Sequence, residues 1–257
     1  MKFLIPLVFL MLSACNQSSA PEFSAIAHAG GGIDGKRYTN SMQALDFNYE
    51  RGFDLFEIDF VWTTDNHLVC LHDWDRTPKW LLNYHGEKPL SLAEFTALEN
   101  KELGLKPCDL NSLNKWLKDH PRAYVVTDIK GKNFEAFALM LKTIDNATNR
   151  VIPQFTQPEH YQPIKDMGYK SLIWTLHSYK GTNESVKTES LKMDLFAITM
   201  PPHKAKQGLA KIIPKETPTY VHTINNIAEA KDYQKTYGLT SVYTDFLEKN
   251  FNNHPGD

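Results

Sequence analysis

Eight short apolar stretches recur along the chain, at 24 to 28, 54 to 60, 123 to 130, 150 to 155, 170 to 177, 195 to 200, 218 to 225 and 241 to 245, with helix-like segments such as 133 to 145 and 226 to 237 between them. Strands alternating with helices favour parallel pairing through right-handed crossovers, and eight such units close on themselves as an α/β fold, the (β/α)8 TIM barrel. Length agrees, since 257 residues of which 42% are hydrophobic can bury a full core in one domain. In that architecture chemistry belongs at the C-terminal ends of the strands.

The second strand departs from the simple repeat. FDLFEIDF alternates, with Leu55, Glu57 and Asp59 on one face and Phe56, Ile58 and Phe60 on the other. Asp65-Asn66 reads as a two-residue hairpin turn from which HLVCLHD returns. That register sets Asp59 directly across from His72, with Cβ atoms about 5 Å apart. The third strand carries Tyr124, Val126, Asp128 and Lys130 on one face, and the first ends at His28 before Gly30-Gly31-Gly32. His28, Glu57, Asp59, His72, Asp128 and Lys130 are thereby expected at one mouth. A surface hairpin with solvated acids is the bland alternative, disfavoured because carboxylates on an otherwise apolar face are seldom left without a partner or a metal.

Three carboxylates at one mouth repel one another unless a cation lies between them. Glu57, Asp59 and Asp128 are the candidate ligands, and an all-oxygen set suits Mg²⁺ or Ca²⁺. Lys130 extends past Asp128, free for an anion. Gly30 to Lys36 nearly spells a P-loop, but Arg37 stands where a Mg²⁺-binding Ser or Thr is required, which excludes nucleoside triphosphate binding. A net charge of −2 without a long basic run argues against nucleic acid as a partner.

This pattern resembles the glycerophosphodiester phosphodiesterase family, whose sequences carry an early His, an ENT-like triplet, ExD, a DG-type turn and HD. The matching residues are His28, Thr39-Asn40-Ser41, Glu57 and Asp59, Asp65-Asn66, and His72-Asp73, followed by TDIK at 127 to 130, VHTIN at 221 to 225 and YTDF at 243 to 246. The resemblance implies a metal-dependent phosphodiesterase in which His28 and His72 act as general acid and base. It further implies that Lys130 and Asn40 meet the substrate, and that an internal hydroxyl attacks to give a cyclic phosphate that water then opens. Three positions depart from the family: Ala29 replaces an Arg, leaving Lys36 or Arg37 to grip the phosphate; Asp128 replaces a Glu, as in sphingomyelinase D-like relatives; His222 replaces a Trp. Two alternatives stay open: a phospholipase C or sphingomyelinase D-like lyase that stops at the cyclic product, and a lipoprotein that binds a phosphate ligand without turnover.

MKFLIPLVFLMLSAC has the charged start, apolar stretch and small-residue end of a signal peptide. Leu12-Ser13-Ala14-Cys15 also resembles a bacterial lipobox, so Cys15 is the expected lipidated first residue, with 15 to 23 as a tether. Asn16, by resemblance to enterobacterial sorting, favours the outer membrane facing the periplasm. A monomer is expected, acting on a small or lipid-derived phosphodiester. Cys70, expected to point inward with His72, and Cys108 show no geometry that indicates a disulfide. Residues 74 to 122 form the longest connection, expected to be a lid whose Trp74, Trp80 and Tyr84 either touch substrate or pack it down. His177, Gln154 and His203 sit at strand ends with weaker warrant.

Overall fold

The structure, a computed structural model, describes residues 24–86, 88–98, 104–106 and 108–251. Cys15 and the rest of the expected signal peptide and tether lie outside the described residues. The strands are β1 (Ile26–Ala27), β2 (Leu55–Trp62), β3 (Leu68–Cys70), β4 (Cys108–Asp109), β5 (Tyr124–Ile129), β6 (Val151–Phe155), β7 (Ile173–Thr175), β8 (Ala197–Met200), β9 (Thr219–Val221) and β10 (Ser241–Thr244). Each of the eight expected stretches holds one strand, β2 running two residues past its expected end. The order β1-β10-β9-β8-β7-β6-β5-β2 is parallel throughout and β1 pairs with β2, so these eight strands close the expected (β/α)8 barrel.

The barrel is filled by one side chain from each of its strands: Ile26, Leu55, Val126, Ile152, Ile173, Ala197, Tyr220 and Tyr243. Alternation then dictates what stands above this plug, because the residue two further along each strand faces the same way. In ring order these are His28, Glu57, Asp128, Gln154, Thr175, Thr199, His222 and Asp245. Outward-facing residues of the same strands pack on the helices, as where Phe56 meets Trp116 edge to face at 5.3 Å. Burying each such large side chain is worth about 1.5–3 kcal/mol.

The helix Met42–Glu50 begins at Ser41, whose hydroxyl accepts from the Ala44 N–H. Its fully buried residues are Ala44, Leu45 and Asn48, with Met42 and Tyr49 half-buried beside them. Asn48 turns inward because its amide donates to the carbonyls of Gly30 and Gly32 and holds the glycine loop in place. A Cβ on Gly31 would fall 2.3 Å from that amide, so glycine is required there.

The hairpin register differs from expectation by one residue. Phe60 pairs with Cys70, Val61 with Val69 and Trp62 with Leu68. The connection is a three-residue loop, 64 to 66, because Asn66 takes a left-handed conformation (φ 60°) and Thr63 pairs with His67. Leu71, not His72, therefore meets Asp59, through a 3.1 Å hydrogen bond from its N–H to the Asp59 carbonyl. Cys70 and Cys108 are also corrected: β4 pairs antiparallel with β3, sets the two cysteines opposite each other with Cα atoms 4.9 Å apart, and they form a disulfide. Cys70 joins the core beneath the helices.

The insertion packs on the hairpin through Val61, Val69, Leu71, Leu81, Leu82, Phe95 and Leu105. Trp74 rests edge to face on Phe95 and donates its indole N–H to the Trp62 carbonyl. Tyr84 bonds Lys88 within the insertion and Trp80 is exposed. None of the three lines the cleft at the barrel mouth; Trp74 packs the insertion down and also borders, with His72, Asp73 and Lys130, a second cavity beside that cleft.

Candidate active site

The mouth opens as a cleft of about 560 Å³. His28, Glu57, Asp128, Gln154, Thr175 and His222 from the tier above the plug line it, while Thr199 and Asp245 of the same tier are buried. Asp59, His72, Lys130, His177, Arg37 and Tyr38 also line it. The structure thus brings together His28, His72, Glu57, Asp59, Asp128, Lys130 and Arg37 in one cavity.

Oxygens of Glu57, Asp59 and Asp128 all lie within 4.8 Å of one another. Two ligands of one Ca²⁺ are separated by at most about 4.6–5.2 Å, twice the metal–oxygen distance, so the spacing suits a single divalent ion. Glu57 and Asp59 are buried. Burial, then the charge of Asp59, hold the Glu57 carboxyl well above the usual carboxylate range, against the opposing pull of His28 and the 2.8 Å hydrogen bond from the Ala29 N–H. A buried acid pushed upward by another acid is the condition that a cation relieves, and the all-oxygen donor set fits Mg²⁺ or Ca²⁺. Lys130, expected to be free, instead sets its ammonium 3.0 Å from Asp59 and 2.6 Å from Asp128. It is two residues from Asp128 on the same face, and paired carboxylates attract the nearest cation. Their charges raise its pKa despite the burial that opposes them.

Asn40, expected at the substrate, is committed elsewhere. Its amide nitrogen donates to the Asp59 carboxylate at 3.0 Å and its oxygen accepts from the Asp59 N–H at 3.0 Å, so it clamps that acid in place. Ala29 is buried in a left-handed conformation, which aims its N–H at Glu57. Of the two residues expected to offset the missing arginine, Arg37 lines the cleft, whereas Lys36 closes a tight turn with Ile33.

The two histidines share one construction. Nδ1 of His28 lies 2.9 Å from Asp245, and Nδ1 of His72 lies 2.9 Å from Asp73. Each carboxylate fixes its ring and leaves Nε2 as the outward face. Tyr38 stands edge-on to both rings, at 4.8 and 5.2 Å. Burial alone would lower the His28 pKa, but the hydrogen bond to Asp245 and the charges of Glu57, Asp245 and Asp59 outweigh it and raise it from 6.5 to about 9. Asp245 is itself held by Asn225, whose amide donates to it at 2.7 Å and accepts from its N–H.

Asp245, Asn225 and Tyr38 were not singled out as site residues from sequence. Asp245 stands two residues beyond a buried strand residue, a signal that could have found it; Tyr38 sits at φ 59° in a loop, which no periodicity marks. Of the weaker strand-end candidates, His177 and Gln154 line the cleft, and His203 is exposed on the helix Pro202–Lys206. His222 occupies the cleft wall 5.9 Å from His177, ring to ring.

Comparison with known proteins agrees with this geometry. The model of the glycerophosphoryl diester phosphodiesterase family matches residues 31–172, which contain Glu57, Asp59, His72, Asp128 and Lys130. Among curated proteins no sequence match is found. A glycerophosphodiester phosphodiesterase from Parabacteroides distasonis superposes with a TM-score of 0.69 at 18% identity, covering 89% of this chain and 94% of its own. An Oleispira antarctica phosphodiesterase, solved with the product sn-glycerol-3-phosphate, gives 0.66 at 16% identity over 89% and 94%. A Thermotoga maritima glycerophosphodiester phosphodiesterase gives 0.60 at 18% identity over 86% and 93%. These structures share the fold. The chain belongs to the glycerophosphoryl diester phosphodiesterase family, whose enzymes are metal-dependent phosphoric diester hydrolases.

Proposed function

We propose that the protein hydrolyses glycerophosphodiesters to an alcohol and a glycerol phosphate at the barrel mouth. One observation carries the reading: two histidines, each backed at Nδ1 by a carboxylate, face the same cleft as a triad of metal-grade acids. A divalent ion held by Glu57, Asp59 and Asp128 supplies, when bound, positive charge to the phosphoryl oxygens. Arg37 and Lys130, the latter paired with Asp59 and Asp128, add positive charge to the same cleft, where the phosphate seats. One histidine takes the proton of the substrate's internal hydroxyl as the new P–O bond forms, and the other gives a proton to the departing alcohol oxygen as the old P–O bond breaks; water then opens the cyclic phosphate, giving its proton to one histidine while the other protonates the released hydroxyl. Asn40 and the Ala29 N–H do no proton work; they hold Asp59 and Glu57 in position.

The deciding experiment is release of glycerol 3-phosphate from a panel of glycerophosphodiesters, with and without chelator. Metal-dependent release is expected. Accumulation of a cyclic phosphate would assign the lyase reading, and ligand binding without turnover would assign the non-catalytic one.

Export belongs to the same proposal: Cys15 is the lipidated first residue and the enzyme is anchored in a bacterial envelope. The Cys70–Cys108 disulfide supports an oxidising compartment. Replacing Cys15 with Ser is expected to abolish lipid labelling; persistent labelling would remove the lipobox from the account.

A further inference from the structure

Beside the mouth cleft lies an open groove of about 600 Å³, bordered by Val61, Trp62, His72, Asp73, Trp74 and Lys130. Its surface is almost wholly apolar, and the hydrogen bonding around it explains why. The Trp62 indole N–H donates to the Gly131 carbonyl at 2.8 Å and the Trp74 indole N–H to the Trp62 carbonyl at 2.9 Å, so neither half-buried ring has a donor left for a ligand. Asp73 is equally committed: its carboxylate lies 2.9 Å from Nδ1 of His72 and accepts from the Thr77 hydroxyl and from the N–H groups of Asp75, Arg76 and Thr77. What the groove offers a ligand is apolar area, and large aromatic faces left open beside a site mark contact with an apolar group.

His72 and Lys130 border both cavities, so the groove continues the cleft in which the phosphate seats. The Lys130 ammonium lies 3.0 Å from Asp59 and 2.6 Å from Asp128, which sets the inner end of the groove beside the acids that would hold the metal. A chain joined to phosphorus through one ester oxygen reaches that end within a few bonds. We propose that the groove is a subsite for an aliphatic chain on the alcohol esterified to the phosphate, so that the protein favours alkyl phosphodiesters over those of small polar alcohols. The assignment rests on the phosphodiesterase reading, since it is the cleft that seats the phosphate from which the chain extends.

Two monoesters that differ by five methylenes isolate the effect: methyl phosphate and hexyl phosphate, titrated calorimetrically into the full chain in excess Mg²⁺. Hexyl phosphate is expected to bind wild type about thirtyfold more tightly, since a fully buried methylene is worth about fourfold in affinity and an open groove buries about half of each. Trp62→Ser should cut that ratio about fivefold or more while leaving the affinity for methyl phosphate unchanged, and Trp62→Phe, which keeps an apolar ring, should retain most of it. A readout that needs no variant is tryptophan emission: hexyl phosphate should shift it to the blue and methyl phosphate should not. Equal affinities for the two esters in wild type, a ratio unchanged in Trp62→Ser, an equal loss for both ligands, an emission shift common to both, or binding of neither would each overturn the assignment. So would 1-hexanol binding as tightly as hexyl phosphate, which would make the groove an apolar patch unconnected with the phosphate seat. The preference is an equilibrium quantity, so a protein that shows it but cleaves no diester would overturn the proposed function alone, and one that cleaves glycerophosphodiesters without it would overturn the subsite alone.

Discussion

Two halves of the barrel mouth, built by the same rule, have opposite character. Along the neighbouring strands β10, β1, β2 and β5 the residue two beyond the plug is Asp245, His28, Glu57 or Asp128; along β6, β7, β8 and β9 it is Gln154, Thr175, Thr199 or His222. The first half is a charged arc in which Glu57 and His28 both sit far from their ordinary pKa values. The second is neutral. The scaffold is indifferent to the distinction, since plug residues of similar type support both arcs. What differs is dependence on a cation: buried acids need one, and hydroxyls and amides do not.

Chelation separates the arcs most sharply. Removing divalent ions should abolish turnover, by about 10³-fold or more, while leaving the neutral arc intact. Next come the histidines: His28→Ala and His72→Ala should each lower kcat by at least about 10²-fold, His72→Ala with little loss of stability and His28→Ala with a lower Tm, because buried Asp245 loses its partner. Near-normal turnover in either variant would remove that residue from proton transfer. Asp245→Asn should cost about 10-fold to 10²-fold and lower the His28 pKa, visible by NMR titration of the ring, because the Nδ1 partner loses its charge.

Stability should also report the charged arc. His28 has a folded pKa of about 9 against an ordinary 6.5, and that of Glu57 is raised above 4.5. Both groups hold their proton more tightly when folded, so their contribution is full below the unfolded values and is lost as pH rises through the folded ones. The Tm of the chelated protein should therefore fall from about pH 4.5, where Glu57 begins to lose its advantage, to about pH 9, where His28 has lost its own. Divalent ion should shrink that fall by favouring the Glu57 carboxylate; a flat profile in chelator would contradict the charged-arc electrostatics. The smallest effect belongs to the neutral arc: Thr175→Val should lower kcat/KM less than about tenfold and leave metal affinity unchanged.

The arcs also differ in how far sequence could reach them. Strand positions and the inward facing of Glu57, Asp59, Asp128 and Lys130 follow from a period of two, which survives any tertiary context. The partner of His28 does not: Asp245 lies 217 residues away, and its role depends on barrel closure. The hairpin register slipped because Asn66 enters the left-handed region and lengthens the loop by one residue, a choice that Asp65-Asn66 leaves open. The disulfide was missed because β4 spans two residues, too few to show any period. Asn40 matched the family triplet, but its contact with Asp59 required the fold to bring a loop against strand β2.

The most direct test of the charged arc is calorimetric titration of the chelated protein with Mg²⁺ and with Ca²⁺, in wild type and in Asp128→Asn. One ion per chain is expected in wild type, with affinity weakened in Asp128→Asn and binding retained in Lys130→Met, whose lost ammonium competes for the same carboxylates. Absence of binding by wild type, or an affinity unchanged by Asp128→Asn, would contradict a site built from Glu57, Asp59 and Asp128.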